Sequence, residues 1–218
     1  MRVPYQLVGM DIRRFRQNEP ALGWGPPVSD TRPRSHRTAL IDATRRLALL
    51  KGFPASTVDE ICELAGVTKG SFYHHFESKE ALGNAVYRRC KSEMKRILVD
   101  DAPRGVTPRE EFAHWWRGLW RFASEDPLAF AFLETHRHEP YLDAESRAAG
   151  EAITAAAVAV IRRGQRAGAI RKLDAAALIA MVFGAFTGLV KAAGEGGIRM
   201  SPRSAAETEA CVWEMLRA

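Results

Sequence analysis

A run of polar side chains between Thr68 and His74 has the types and spacing needed to read the edges of a nucleic-acid duplex. Thr68, Lys69 and Ser71 offer hydroxyl and ammonium donors, while Tyr73 and His74 are rings with a polar tip. Gly70 has no side chain and permits a close backbone approach. Phe72 and Phe76, four residues apart, share the other face of a short helix and are expected to point into a core. A second cluster invites metal chemistry: His136 and His138, with Glu134, Glu139 and Asp143 nearby. Helical residues two apart diverge by about 200°, so these two imidazoles do not easily share an ion. Glu134 and His138 are better placed, but a solvated or pocket-lining helix end is the preferred reading, and no metal or other cofactor is expected. Cys62, Cys90 and Cys211 are odd in number and form no C-x-x-C pair, which excludes a zinc ribbon or a thioredoxin-type site and fits reduced thiols in a cytosol. The chain contains no nucleophile–base motif, P-loop or dinucleotide fingerprint, so no catalytic residue is assigned.

The elements that must position these groups are helices. Leu40, Ala43, Leu47 and Leu50 form one apolar stripe in a helix that begins near Ser35 and ends at Gly52, with Pro54 beyond it. Thr57-Val58-Asp59-Glu60 reads as a capping box, and Val58, Ile61, Leu64 and Ala65 supply the buried side of the short helix that follows. Gly66-Val67 makes a turn, and Thr68 caps a second short helix ending near His75. Two short capped helices joined by a tight glycine turn are the sequence form of a helix-turn-helix, whose second helix enters the major groove. Ser78 caps a longer helix with Leu82, Val86, Met94, Ile97 and Leu98 inward. Further helices are expected near 108–124, 127–138, 142–168, 174–193 and 203–217, without any strand-like alternation of useful length. The expected class is all-α. Residues 1–34 form a flexible basic arm rich in proline and glycine, residues 35–101 the reading head with its motif at 57–76, and residues 102–218 a larger helical domain.

The stretch from Ser35 to Arg96, with RTALIDATRRLALLKGF at 37–53 and TKGSFYHHFESKEAL at 68–82, resembles the TetR (tetracycline-repressor) family of bacterial transcription regulators. That resemblance implies a repressor whose helical domain binds an effector and forms a homodimer. It implies base-edge contacts from Thr68, Lys69, Gly70 and Ser71, with Lys69 donating to guanine. It also implies phosphate contacts from Thr57 and Lys79, and phosphate or thymine-methyl contacts from Tyr73 and His74. The operator would be a near-palindrome of double-stranded DNA, since a dimer presents two recognition helices about 34 Å apart. The last two helices would form the dimer interface, with Ala180, Gly184 and Gly188 at a spacing of four allowing close approach and Val212 and Met215 adding apolar surface. A small, largely apolar effector would sit among the aromatics of 112–132, with His114, Trp115, Trp120, Phe130, Glu134 and His138 as its candidate contacts.

Charge and hydropathy narrow the alternatives. The chain has 218 residues and a formal charge of +6, and its composition excludes disordered, collagen-like and disulfide-scaffold classes. Residues 1–38 hold seven Arg against three acids, so most of the excess is N-terminal. Arg37, with Arg32 and Arg34, is expected to touch phosphate or the minor groove; a solvated tail is the alternative. Ala175–Val190 is sixteen residues without a charge, shorter than the ~20 of a spanning helix, and is expected to be buried on most of its surface in a cytoplasmic protein. A non-specific nucleoid-type binder and an enzyme of the helical domain are the competing classes.

Overall fold

The computed structural model describes residues 35–136, 139–194, 197–199 and 201–218, so the proposed basic arm lies outside the described residues. Among those residues nine α-helices form: α1 (His36–Lys51), α2 (Val58–Ala65), α3 (Lys69–His75), α4 (Lys79–Lys95), α5 (Pro108–Glu125), α6 (Pro127–His136), α7 (Ala144–Arg166), α8 (Ala175–Gly194) and α9 (Pro202–Leu216). A π-helical turn, Arg96–Asp100, continues α4. The described β pairing is one isolated antiparallel bridge, Ile170 with Arg217, so the chain is all-α as expected.

Residues 35–90 and 128–146 pack as one compact unit, and residues 91–127 and 147–218 as a second. This differs from a boundary at 101–102. The reason is twofold: α4 runs without a break past Cys90, and the segment after α6 returns to the first unit through polar bonds. Asn84 Nδ2 donates to the Tyr141 carbonyl at 2.9 Å, and Asn84 Oδ1 accepts from the Asp143 amide at 2.9 Å. Arg88 donates to Asp143 Oδ2 at 2.7 Å. None of these three bonds is visible in local spacing, because more than fifty residues separate the partners.

The first unit's core is the α1 stripe, Leu40, Ala43, Leu47 and Leu50, with Phe53, Ile61, Cys62, Phe72, Phe76, Leu82 and Val86. Gly83 lets the rings of Phe53 and Tyr141 lie against α4, since a Cβ there would sit 2.7 Å from Phe53 Cζ and 2.9 Å from Tyr141 Cε2. In the second unit Trp116 is fully buried, and its indole N–H donates to the Ala205 carbonyl of α9 at 3.1 Å. Phe186 of α8 meets Trp116 and Trp120 edge to face, with ring centroids 5.6 Å and 6.1 Å apart.

One expectation for this unit needs correction. Helix α8 is long and apolar enough to cross a membrane, yet within the chain it buries only Ala175, Leu178, Phe186, Val190, Ala193 and Gly194. Ala176, Ala177, Ala180, Met181, Gly184 and Gly188 are exposed, so one chain does not bury most of α8. Val212 and Leu216 face the interior of their own unit, because α9 turns that side toward α5, leaving Met215 half-buried and Cys211 exposed.

Gly83→Ala should destabilise the protein by about 1–3 kcal/mol, as overpacking against two ring edges does. Urea unfolding followed by circular dichroism would measure it.

Candidate nucleic-acid interface

Helix α3 has seven residues, too few to be stable alone, so tertiary contacts must hold it. The turn before it is set by Gly66, whose φ of 68° is left-handed and favours glycine. The Val67 amide donates to the Cys62 carbonyl at 3.0 Å, closing that turn. Thr68 Oγ1 accepts from the Ser71 amide at 3.2 Å and caps α3. Phe72 is fully buried and Phe76 nearly so, which anchors the helix by its inner face. The first turn of α1 clamps it from the side. His36 Nδ1 lies 2.8 Å from Ser71 Oγ, the His36 and His75 rings meet edge to face at 6.5 Å, and the Arg37 guanidinium lies 5.3 Å from the Phe76 ring centroid.

The outer face of α3 carries the row expected from the sequence. Thr68, Lys69, Gly70, Tyr73 and His74 are exposed and Ser71 is half-buried. Tyr73 is 59% exposed, so its ring and hydroxyl are open to a partner. Lys69 Nζ pairs with Asp59 Oδ1 of α2 at 2.6 Å, with both side chains largely exposed. Such a pair is worth about 0–1 kcal/mol, so Lys69 exchanges partners at small cost.

Thr57 and Lys79 already have local partners. The Thr57 hydroxyl donates to Glu60 Oε2 at 2.9 Å and accepts from the Glu60 amide at 3.3 Å, completing the capping box. Glu60 also accepts from Lys51 Nζ at 2.6 Å, and that bond, followed by the Thr57 amide, holds its carboxyl below the usual range against the opposing effect of burial. Lys79 Nζ donates to the carbonyls of Phe53, Pro54 and Ser56, at 3.4, 3.0 and 3.1 Å, and lies over the Phe53 ring. An ammonium has three donors, and all three serve the loop between α1 and α2.

The candidate effector contacts fall in both units. His114, Trp115 and Trp120 belong to the second; Phe130 and Glu134 belong to the first; His138 lies outside the described residues. His114 Nε2 is 3.3 Å from the Leu98 carbonyl. Among the described residues the Trp120 indole nitrogen is buried and has no hydrogen-bond partner. Among the described residues no group of three or more His, Cys, Asp or Glu is placed to hold a metal.

Two family descriptions match this chain: "Bacterial regulatory proteins, tetR family" over residues 40–86 and "Tetracyclin repressor-like, C-terminal domain" over residues 87–218. The chain belongs to the TetR family. The HTH-type transcriptional repressor KstR2 of Rhodococcus jostii is 42% identical over 64 residues, which are 29% of this chain and 31% of that protein. The repressor DhaR of a Mycobacterium species is 40% identical over 62 residues, 28% and 31% of the two chains. The match thus spans about a third of these curated relatives. A TetR family regulator from Marinobacter aquaeolei superimposes with a TM-score of 0.75 at 25% identity, covering 84% of this chain and 95% of that one. The ketosteroid transcriptional regulator KstR2 of Mycobacterium tuberculosis shares the fold, with a TM-score of 0.71 at 19% identity over 86% and 97% of the chains.

Within this TetR-family head, several structural contributors escaped sequence reading. His36, Asp59, Asn84 and Tyr141 act through partners distant in sequence, and no local pattern marks them. His136, which the sequence suggests as part of a metal-type cluster, is instead a buried ring among aromatics. Its ring stacks on Phe132 with centroids 4.0 Å apart, meets Phe53 and Tyr141 edge to face, and its Nδ1 lies 2.8 Å from the Phe132 carbonyl. Burial lowers its pKa, opposed by the Phe132 carbonyl and by Glu139, so the folded protein prefers the neutral ring. The unfolded chain then binds the proton more readily, and stability falls as pH drops below the ordinary imidazole range. Wild-type protein should lose melting temperature from about pH 8 to about pH 5 more steeply than His136→Phe, as thermal unfolding at matched ionic strength would record.

Proposed function

We propose that this chain is a sequence-specific DNA-binding transcriptional regulator, a repressor released from its operator by a small, largely apolar effector. The observation that carries this reading is the exposed row Thr68, Lys69, Gly70, Tyr73 and His74 on a seven-residue helix whose back is anchored by buried Phe72 and Phe76. The repressor names of the relatives matched in the head support it. Lys69 leaves Asp59 to donate to guanine, and Thr68 and Ser71 reach base edges beside the open backbone of Gly70. Tyr73 and His74 take phosphate or a thymine methyl. Arg37, at the first turn of α1, takes phosphate. Thr57 contributes a phosphate contact by turning its hydroxyl away from Glu60. Lys79 acts one step back, holding the loop that carries Thr57.

The operator is near-palindromic double-stranded DNA, because the reader is a homodimer. The exposed face of α8 supports this: Ala177, Ala180, Gly184 and Gly188 form a small-residue stripe beside Met181, and a Cβ at Gly184 or Gly188 would meet no other element among the described residues within 4 Å. Covering that stripe with the same face of a second copy buries apolar surface without a bilayer, and half-buried Met215 of α9 would add to it. The effector enters the second unit near Trp120, whose buried N–H, without a hydrogen-bond partner among the described residues, would donate to a carbonyl or ether oxygen; Trp115 and His114 lie more than a turn earlier on the same helix and contribute from other faces. Phe130 and Glu134 belong to the other unit and are not assigned to this anchor. The effector dissociates the complex only by binding more tightly to a head arrangement that does not fit the operator. The protein is a cytoplasmic regulator rather than an enzyme.

Fluorescence anisotropy on the promoter region of the protein's own gene tests the reading. Wild type should bind it far more tightly than unrelated DNA, and Lys69→Ala should lose about 1–3 kcal/mol on the specific site while binding unrelated DNA nearly as before. Equal competition by unrelated DNA would instead indicate the non-specific binder. For the dimer, Gly184→Leu adds a side chain in open space and gains helix propensity of about 0.5–1 kcal/mol per residue. Light scattering should show the variant as a folded monomer; a dimer unchanged in size would remove α8 from the interface.

A further inference from the structure

Resting on the DNA-binding reading above, we infer that His36 determines base preference at one operator position by setting the hydrogen-bond polarity of Ser71. His36 is the first residue of α1, thirty-five residues before Ser71, and its Nδ1 stands 2.8 Å from Ser71 Oγ. The ring is held in that place from two sides. Its edge-to-face contact with His75 fixes the imidazole against α3, and the stacking of Arg37 on Phe76 fixes the turn of α1 that carries it. Ser35 caps the same turn, accepting from the Thr38 amide at 3.3 Å.

A serine hydroxyl has a single proton and two lone pairs. When that proton goes to an unprotonated Nδ1, Ser71 Oγ meets the groove as an acceptor only. It then selects the amino groups of adenine or cytosine. When Nδ1 carries a proton and donates it, one lone pair is taken and the Ser71 proton is freed, so the hydroxyl gains a donor toward a purine N7, guanine O6 or thymine O4 while keeping one lone pair. A serine in isolation rotates its proton to suit either class and discriminates poorly. The contact with His36 restricts that freedom, most when the Ser71 proton is held by Nδ1. His36 is therefore a positioning residue that contributes to specificity without touching a base, and it lies on a helix that the helix-turn-helix motif does not include.

The test uses the full chain. Selection of bound duplexes from a random-sequence pool gives the preferred half-site for wild type, His36→Phe, Ser71→Ala and the double variant. Phenylalanine keeps a ring beside His75 and removes the nitrogen. Because His36 is exposed, His36→Phe should retain the wild-type melting temperature, and His36→Gln serves as a second variant should it not. The expected result is a change of about tenfold in preference at a single base-pair position, the same one for His36→Phe and Ser71→Ala, with no further change in the double variant. The salt dependence of binding should stay as in wild type, since no phosphate contact is removed. The inference is overturned by an unchanged half-site, by a loss of affinity equal across all bases, or by a reduced salt slope, which would make His36 a phosphate contact. Failure of wild type to select any half-site would instead sink the DNA-binding reading itself.

Discussion

The burial of Phe72 is the interaction on which the rest of this head depends. A seven-residue helix has no independent stability, so α3 exists as a helix only because its inner face is locked into the α1 and α2 core. Phe76 extends the anchor by one turn, and its ring also receives the Arg37 guanidinium. With that face committed inward, helical geometry forces Lys69, Gly70, Tyr73 and His74 outward together. The chemistry of the outer face is thus a consequence of an apolar contact on the inner one.

Around this anchor, polar groups serve geometry more than charge. Lys79 spends its ammonium on three carbonyls between α1 and α2, and Glu60 combines a helix cap with an ion pair to Lys51. Both fix the angle between successive helices, which decides where Thr57 and the start of α2 stand. Asn84 does comparable work further along, tying the backbone of 141–143 to α4 with two bonds. The segment it captures brings Tyr141 against Phe53, where His136 of α6 also packs, so the same unit contains the reading helix and a buried aromatic cluster. An unprotonated imidazole fits that apolar setting, and a charged one does not.

The second unit follows a different economy. Its interior is aromatic, with Trp116, Trp120, Phe112 and Phe186 in contact, while α8 keeps an open stripe of alanine and glycine. Small residues offer little hydrophobic area individually, yet they let two helix backbones approach closely, where dispersion contacts add up.

What the sequence determined by itself were the features set by local physics. Ser35, Thr57 and Thr68 cap helices because a hydroxyl satisfies amides two or three residues on, and Gly52 and Gly66 end them because their φ values are positive. The stripe from Leu40 to Leu50 and the pair Phe72 and Phe76 were legible for the same reason, since helical periodicity alone assigns their faces. Tertiary structure decided what depends on partners far along the chain. It gave Lys79 to carbonyls, set Lys69 beside Asp59, placed His36 on Ser71, turned Val212 inward, and moved residues 128–146 into the unit of the reading head. A side chain's type fixes which bonds it is able to make, but only the folded chain selects which of its possible partners comes within 3 Å.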